Sequence, residues 1–564
     1  MEMKKIIIYQ VLPRLFGNDN DSCVYNGSIA ENQCGKMNDF TPSVLKQIRE
    51  LGATHIWYTG LIEHATQTDY SAYGIRTDHP SVVKGKAGSP YAIKDYYDID
   101  PDLAEEVPHR MKEFEALIAR THRADLKVIM DFVPNHVARQ YHSDAKPSRV
   151  KDFGEDDNKN VAFSANNNFY YLPRMPFRPQ FDLKGMAKEP YEEFPAKATG
   201  NDCFRADPNM DDWYETVKLN YGVDYMNGRT EHFSPIPSTW VKMLDILSYW
   251  TKKGVDGFRC DMAEMVPVDF WEWVIPRVKG VNSQLIFIAE VYNPKLYHLY
   301  VERGHFDYLY DKVGLYDTLH NIICGYGSAA SISSCWQGLN GLDTKMVNFL
   351  ENHDEQRVAS DFFAKDPFHA LPAVIASACM NTNPFLLYFG QELGEMGMDN
   401  EGFSGRDGKT TIFDYWSVPT VRLWRNGLKM GTGESMERMM ELRSIYQRIL
   451  CLCNEEKAIS EGSFFDLTYA NLNGWKFNEY KQFAFMRKHD NELLLIAVNF
   501  DSQQVDVAIN IPSHAFDFLN IPQKDAYEAE DLLTGRKETI SLLPYKATEL
   551  TLHSYYGKIL KIRL

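Results

Sequence analysis

The sequence predicts an α/β protein: a (β/α)8 barrel of the TIM class, an irregular subdomain inserted after its third strand, and a C-terminal antiparallel β-sandwich. Three observations carry this. Helical and strand patterns alternate along most of the chain, which calls for parallel strands joined by helical crossovers. Eight strand patterns are present, the number that closes such a sheet into a barrel. The alternation then fails twice, in a long polar and aromatic stretch and again at the end, where short apolar strands follow one another without helices.

The elements follow in order. I-I-I-Y-Q-V opens the barrel at Ile6. T-P-S-V-L-K-Q-I-R-E-L-G carries Thr41 as N-cap, Pro42 at the first helical position and Gly52 as a stop, the punctuation of a helix. T-H-I-W-Y-T-G is the second strand. Helix M-K-E-F-E-A-L-I-A-R-T leads to strand K-V-I-M-D-F-V-P-N-H, and helix M-L-D-I-L-S-Y-W-T-K-K-G to strand V-D-G-F-R-C-D. Helix V-D-F-W-E-W-V-I-P-R-V-K-G precedes L-I-F-I-A-E-V; F-D-Y-L-Y, K-M-V-N-F-L-E-N and P-F-L-L-Y-F-G complete the eight. Residues 1–136 and 237–460 are therefore assigned to the barrel, and 137–236, rich in Asn, Asp, Pro and aromatics, to an inserted subdomain too long for a loop. Residues 461–564, with F-A-F-M-R and L-L-L-I-A-V-N-F, are assigned to the sandwich.

A net charge of −17 over 564 residues argues against nucleic acid or an anionic membrane as partner and is indifferent to a neutral ligand such as a carbohydrate. The N-terminal apolar run is strand-length and broken by Gln10, Pro13 and Arg14, unlike a signal peptide, and nothing approaches the ~20 apolar residues of a membrane span. The nine cysteines are scattered; Cys451 and Cys453, the one close pair, match no zinc spacing. The expectation is a reduced, cytoplasmic protein.

In such barrels the chemistry sits at the C-terminal ends of the strands. The third strand ends in Asn135 and His136, the fourth in Asp261, the fifth in Glu290, the seventh in His353 and Asp354. One carboxylate at such a place reads as an ion pair or a cap; three from three strands, with histidines beside them, read as a site. Paired carboxylates are what glycosidic-bond chemistry requires, one ionised to attack or stabilise the anomeric carbon and one protonated for the leaving oxygen. Arg259 stands two residues before Asp261, so both side chains share a strand face, and a cation there holds Asp261 ionised. Glu290 has no such partner in sequence and is left free to hold a proton. The pattern points to Asp261 as nucleophile and Glu290 as acid/base.

D-F-V-P-N-H, G-F-R-C-D, A-E-V and E-N-H-D, in that order, resemble the four short motifs of the α-amylase superfamily, glycoside hydrolase family 13. I-Y-Q-V-L-P-R-L-F, S-P-Y-A-I-K-D-Y-Y-D-I-D-P and Y-F-G-Q-E-L-G add to the resemblance, which spans the chain. It implies a retaining α-glycoside hydrolase that works by double displacement, with its two carboxyl groups about 5–5.5 Å apart. Carried over by motif, Asp261 is the nucleophile, Glu290 the acid/base and Asp354 the third acid, which binds sugar hydroxyls and stabilises the transition state. Arg259 is the arginine of the second motif, His136 and His353 bond sugar hydroxyls, and Tyr91 stacks under the sugar. No cofactor is required for the chemistry; a structural calcium, common in the family, would use Asn135 as a ligand.

The substrate expected is an α-1,4-linked glucan or malto-oligosaccharide. Departures keep the subtype open. Glu264 and Met265 stand where many endo-amylases carry Lys-His, Gly88 stands where exo-acting α-glucosidases carry Asp, and Met262 follows the nucleophile where Val often accompanies α-1,6 specificity. A glucanotransferase using the same intermediate is the alternative within enzymes, and a non-catalytic glycan-binding member of the fold the alternative outside them. Asp95 reads as support for a loop rather than as a substrate ligand.

Overall fold

The computed structural model describes residues 5–181, 187, 189–427 and 433–564. The start of the N-terminal run, Met1–Lys4, and residues 182–186 and 188 of the insertion lie outside the described residues. Eight parallel strands close into a barrel: β1 (Ile7–Val11), β2 (His55–Tyr58), β3 (Lys127–Phe132), β4 (Gly257–Cys260), β5 (Ile286–Ala289), β6 (Tyr308–Tyr310), β7 (Met346–Phe349) and β8 (Phe385–Tyr388). They are the eight read from sequence, and β8 closes onto β1 with Ile7 opposite Phe385. Their runs are apolar rather than alternating because helices cover the outer face and side chains fill the inner one.

Helices α1 (Pro42–Glu50), α2 (Arg110–Arg123), α3 (Ser238–Lys252) and α4 (Val268–Lys279) are crossovers. In α1, Thr41 Oγ1 accepts a hydrogen bond from the Val44 amide at 3.3 Å and Leu45 and Ile48 face the core. Gly52 ends the turn at φ +109°, where a Cβ would stand 2.9 Å from the Leu450 backbone; both conditions call for glycine.

The insertion opens where β3 ends. His136–Ala138 pairs antiparallel with Thr216–Lys218, His136 opposite Lys218, so the histidine expected to close the barrel's first part also begins the insertion's ribbon. Most of the insertion is irregular, and side chains satisfy its backbone: Asp157 accepts from the amides of Asn168 and Phe169, and Asn167 Oδ1 from that of Asn158. This is what an Asn- and Asp-rich stretch supplies where no ladder does.

The C-terminal region is a six-stranded antiparallel sheet with a further two-stranded pair. Along Glu492–Asn499, Leu494, Ile496 and Val498 pack into the barrel core, while Leu493, Leu495 and Ala497 belong to the core of the terminal region itself. Alternate residues face opposite ways, so burial on both faces explains the unbroken apolar run. All nine cysteines are unpaired. No helix among the described residues is long and apolar enough to cross a membrane.

Candidate active site

Strand register decides what meets at the rim. β4 and β5 run parallel with Arg259 opposite Ile288. Asp261 is two residues beyond the first and Glu290 two beyond the second, so both carboxylates rise on the face from which Arg259 points. The guanidinium, fully buried, takes both: Nη1 lies 2.8 Å from Asp261 Oδ1 and Nη2 2.8 Å from Glu290 Oε2. Its Nε donates to the Tyr310 hydroxyl at 3.1 Å, and the rings of Trp57, Tyr91 and Tyr310 surround it at 5.3–5.5 Å.

This corrects the sequence reading of Arg259 as the private counter-ion of Asp261. An i, i+2 relation is visible in one strand, whereas the pairing with Glu290 depends on register between two. The electrostatics change with it. Burial first, and then the neighbouring Glu290 carboxylate, push Asp261 well above the usual carboxylate range, against the pull of Arg259.

The two acids differ in how their oxygens are used. Glu290 Oε2 accepts from the Met262 amide at 2.8 Å and Oε1 from the Tyr292 hydroxyl at 2.6 Å. Met262 reaches this position in the left-handed region, at φ +45°. Asp261 Oδ2 is buried without a hydrogen-bond partner, and His136 Nε2 lies 4.0 Å from it. Buried oxygens are rarely left unpaired, and Asp261 lines a cavity of about 280 Å³ with Tyr91, His136, Glu290, Tyr292 and Asp354.

Tyr91 and His353 stack at 5.1 Å between centroids. The Tyr91 hydroxyl is 2.6 Å from His353 Nε2, and Gln10 Nε2 is 2.8 Å from Nδ1. His353 lies 3.1 Å from Asp354 Oδ2 and so touches both Tyr91 and Asp354. Burial and the Arg259 charge hold it well below the ordinary histidine value, so it is neutral. His136 is neutral too: burial, then the Lys218 ammonium, bring it down to about 3.

Asn135 does not fit a calcium site. Its Oδ1, the atom a metal would need, accepts from Lys218 Nζ at 2.6 Å, and a divalent ion and an ammonium cannot share that oxygen. Asp95 is occupied by the fold, accepting from Ser143 Oγ and the amides of Tyr97 and Ala145. Glu264 Oε2 accepts from the amides of Tyr292 and Asn293 and so braces the loop after β5.

Several residues at the site went unread. Gln10 and Asp131 are polar residues inside apolar strands, a signal that was available. Asp131 accepts from Trp57 Nε1 at 3.0 Å, and burial raises it to about 6. Tyr292 sits two residues past Glu290. Lys84, Trp213 and Glu215 also line the cavity, Lys84 Nζ lying 3.1 Å from Glu215 Oε2. Lys84 belongs to the loop after β2 and Glu215 to the insertion, so no local pattern joins them.

A parallel barrel with three acids on its C-terminal rim, two of them sharing one buried arginine, has the organisation of a glycoside hydrolase. Residues 10–284 match the family description "Alpha amylase, catalytic domain". The chain is 22% identical over 474 residues to Alpha-amylase 3 of Dictyoglomus thermophilum, spanning 81% of each chain. It is 22% identical over 517 residues to a cyclomaltodextrinase of a Bacillus species, spanning 88% of this chain and 73% of that one. The noncanonic maltogenic α-amylase AmyB of Thermotoga neapolitana shares the fold over the full length of both chains, with a TM-score of 0.63 at 20% identity. These matches support the α-amylase superfamily, and with it a glycoside hydrolase of the α-amylase type.

Proposed function

We propose that this protein hydrolyses α-1,4-linked glucans and malto-oligosaccharides with retention of configuration, through a covalent glycosyl-enzyme. Asp261 Oδ2 attacks the anomeric carbon while Glu290 gives its proton to the departing glycosidic oxygen; the C–O bond to the leaving sugar breaks as the bond to Asp261 forms. Glu290, now a carboxylate, takes a proton from water, whose oxygen attacks the same carbon and releases Asp261. Arg259 holds both acids in one frame. Asp354 and His136 line the cavity as groups for sugar hydroxyls, Tyr91 offers a ring face, and His353 acts through Tyr91 and Asp354.

The observation that carries this reading is the buried, unpartnered Oδ2 of Asp261, a residue of the cavity wall, beside a second carboxylate bound to the same guanidinium. The names of the relatives, an α-amylase and a cyclomaltodextrinase, support the substrate class.

Asp261→Asn and Glu290→Gln should each reduce turnover of maltotetraose by about 10⁴-fold or more, with circular dichroism and maltotetraose binding retained. Activity near that of the wild type in either variant would overturn the assignment. Products longer than the substrate would replace hydrolysis by glycosyl transfer through the same intermediate.

A further inference from the structure

Lys218 is 1% exposed, and an ammonium is costly to bury without partners. Its partners come from three places. Asn135 Oδ1, at the end of the third barrel strand, is 2.6 Å from Nζ; Asp202 Oδ1, in the insertion, is 2.6 Å away; the Met265 carbonyl, in the loop after β4, is 3.3 Å away. The ring of Tyr225 lies 5.3 Å from the charge. An amide oxygen, a carboxylate and a backbone carbonyl converging from two parts of the fold are the donors a hard cation takes.

We propose that Lys218 is a built-in cation: its ammonium permanently occupies the junction between inserted subdomain and barrel, and no calcium binds there.

The consequence reaches the active site by hydrogen bonds alone. With Oδ1 committed to the ammonium, the Asn135 amide has one orientation, and its Nδ2 donates to the Gly200 carbonyl at 2.8 Å and toward His136 Nδ1 at 3.2 Å. His136 then carries its proton on Nε2, the nitrogen that faces Asp261 Oδ2. Lys218 is also the ladder partner of His136, so the strut and the residue it positions are held on one ribbon. Lys218 is therefore a positioning residue. The inference stands on this contact set and does not depend on which glucan is cleaved.

The test is thermal unfolding of the full chain, wild type and variants, in excess EDTA and in excess calcium chloride, with Lys218→Met and Lys218→Ala. The wild type should melt at the same temperature in both. Lys218→Met, which keeps the apolar stem and loses the charge, should melt several degrees lower in either medium, because Asp202 is left facing Asn135 without a counter-ion. Lys218→Ala should also melt lower in EDTA and recover part of the loss in calcium, since the truncation frees the donors. Adding Asp202→Asn to Lys218→Met should recover stability. A wild type that loses stability in EDTA, with the loss abolished by Lys218→Met, would place a metal at the junction and overturn the proposal. So would a Lys218→Met variant as stable as the wild type, or a Lys218→Ala variant indifferent to calcium. Should the variants fail to fold, the wild-type comparison still decides.

Discussion

Arg259 Nη2 lies 2.8 Å from Glu290 Oε2, as close as Nη1 is to Asp261 Oδ1. One buried guanidinium therefore serves both acids, and the difference between them comes from their other contacts. Glu290 accepts from Tyr292 and the Met262 amide; Asp261 Oδ2 has nothing.

A lysine could not do this. Its ammonium is a point charge on a flexible stem, without the planar fork that spans two carboxylates. Arg259→Lys is expected to lower kcat/KM on maltotetraose by about 10²–10³-fold, the scale of losing a preorganised charge contact. Melting temperature measured alongside separates this from loss of the fold.

The pH dependence follows from Asp261. Attack requires the ionised carboxylate, and burial raises the group's pKa, so activity is lost as pH falls through that raised value and is retained above it. The acid limb of kcat/KM should lie above the ~3.9 of an ordinary aspartate. A limb at or below that value would contradict the raised assignment.

Lys84 and Glu215 make a further wall of the cavity, ion-paired at 3.1 Å with little exposure. A cavity of about 280 Å³ falls below the ~300–1,000 Å³ of pockets for drug-sized ligands, which suits a short glucan unit. Removing both charges avoids leaving one unpaired in a buried place. In the Lys84→Met/Glu215→Gln double variant, the ratio of maltotriose to soluble starch turnover should fall relative to the wild type, read from reducing-sugar release.

Glu63 makes a prediction about stability. It is 1% exposed, neither carboxylate oxygen has a hydrogen-bond partner, and Lys94 Nζ is 3.8 Å away. Burial, then the Asp95 carboxylate, raise its pKa to about 9. In the unfolded chain it titrates near ~4.3, so between these values the folded protein holds a proton that the unfolded one has released. Its contribution to stability therefore falls as pH rises, by roughly 1.4 kcal/mol per unit. Glu63→Gln removes that slope, and its advantage in Tm over the wild type should be larger at pH 8 than at pH 5.

Much of this was written locally and could be read in sequence. Each barrel strand is an apolar run bounded by turns, α1 carries its own cap and stop, and Asp261, Glu290 and Asp354 end strands whose direction the alternating pattern sets. These are properties of neighbours along the chain, and short-range sterics and burial enforce them. What the sequence could not decide is who faces whom across strands and across the insertion. The second carboxylate of Arg259 depends on the register of β4 against β5. The stacking of His353 on Tyr91 depends on how the connection after β2 lies against the end of β7. The ammonium at Asn135 depends on where residue 218, some eighty positions later, returns to pair with the end of β3. Sequence alone determined the barrel and its acids; only tertiary structure decided which charge meets which, because burial and distance set the energy of a charge and neither is a property of sequence spacing.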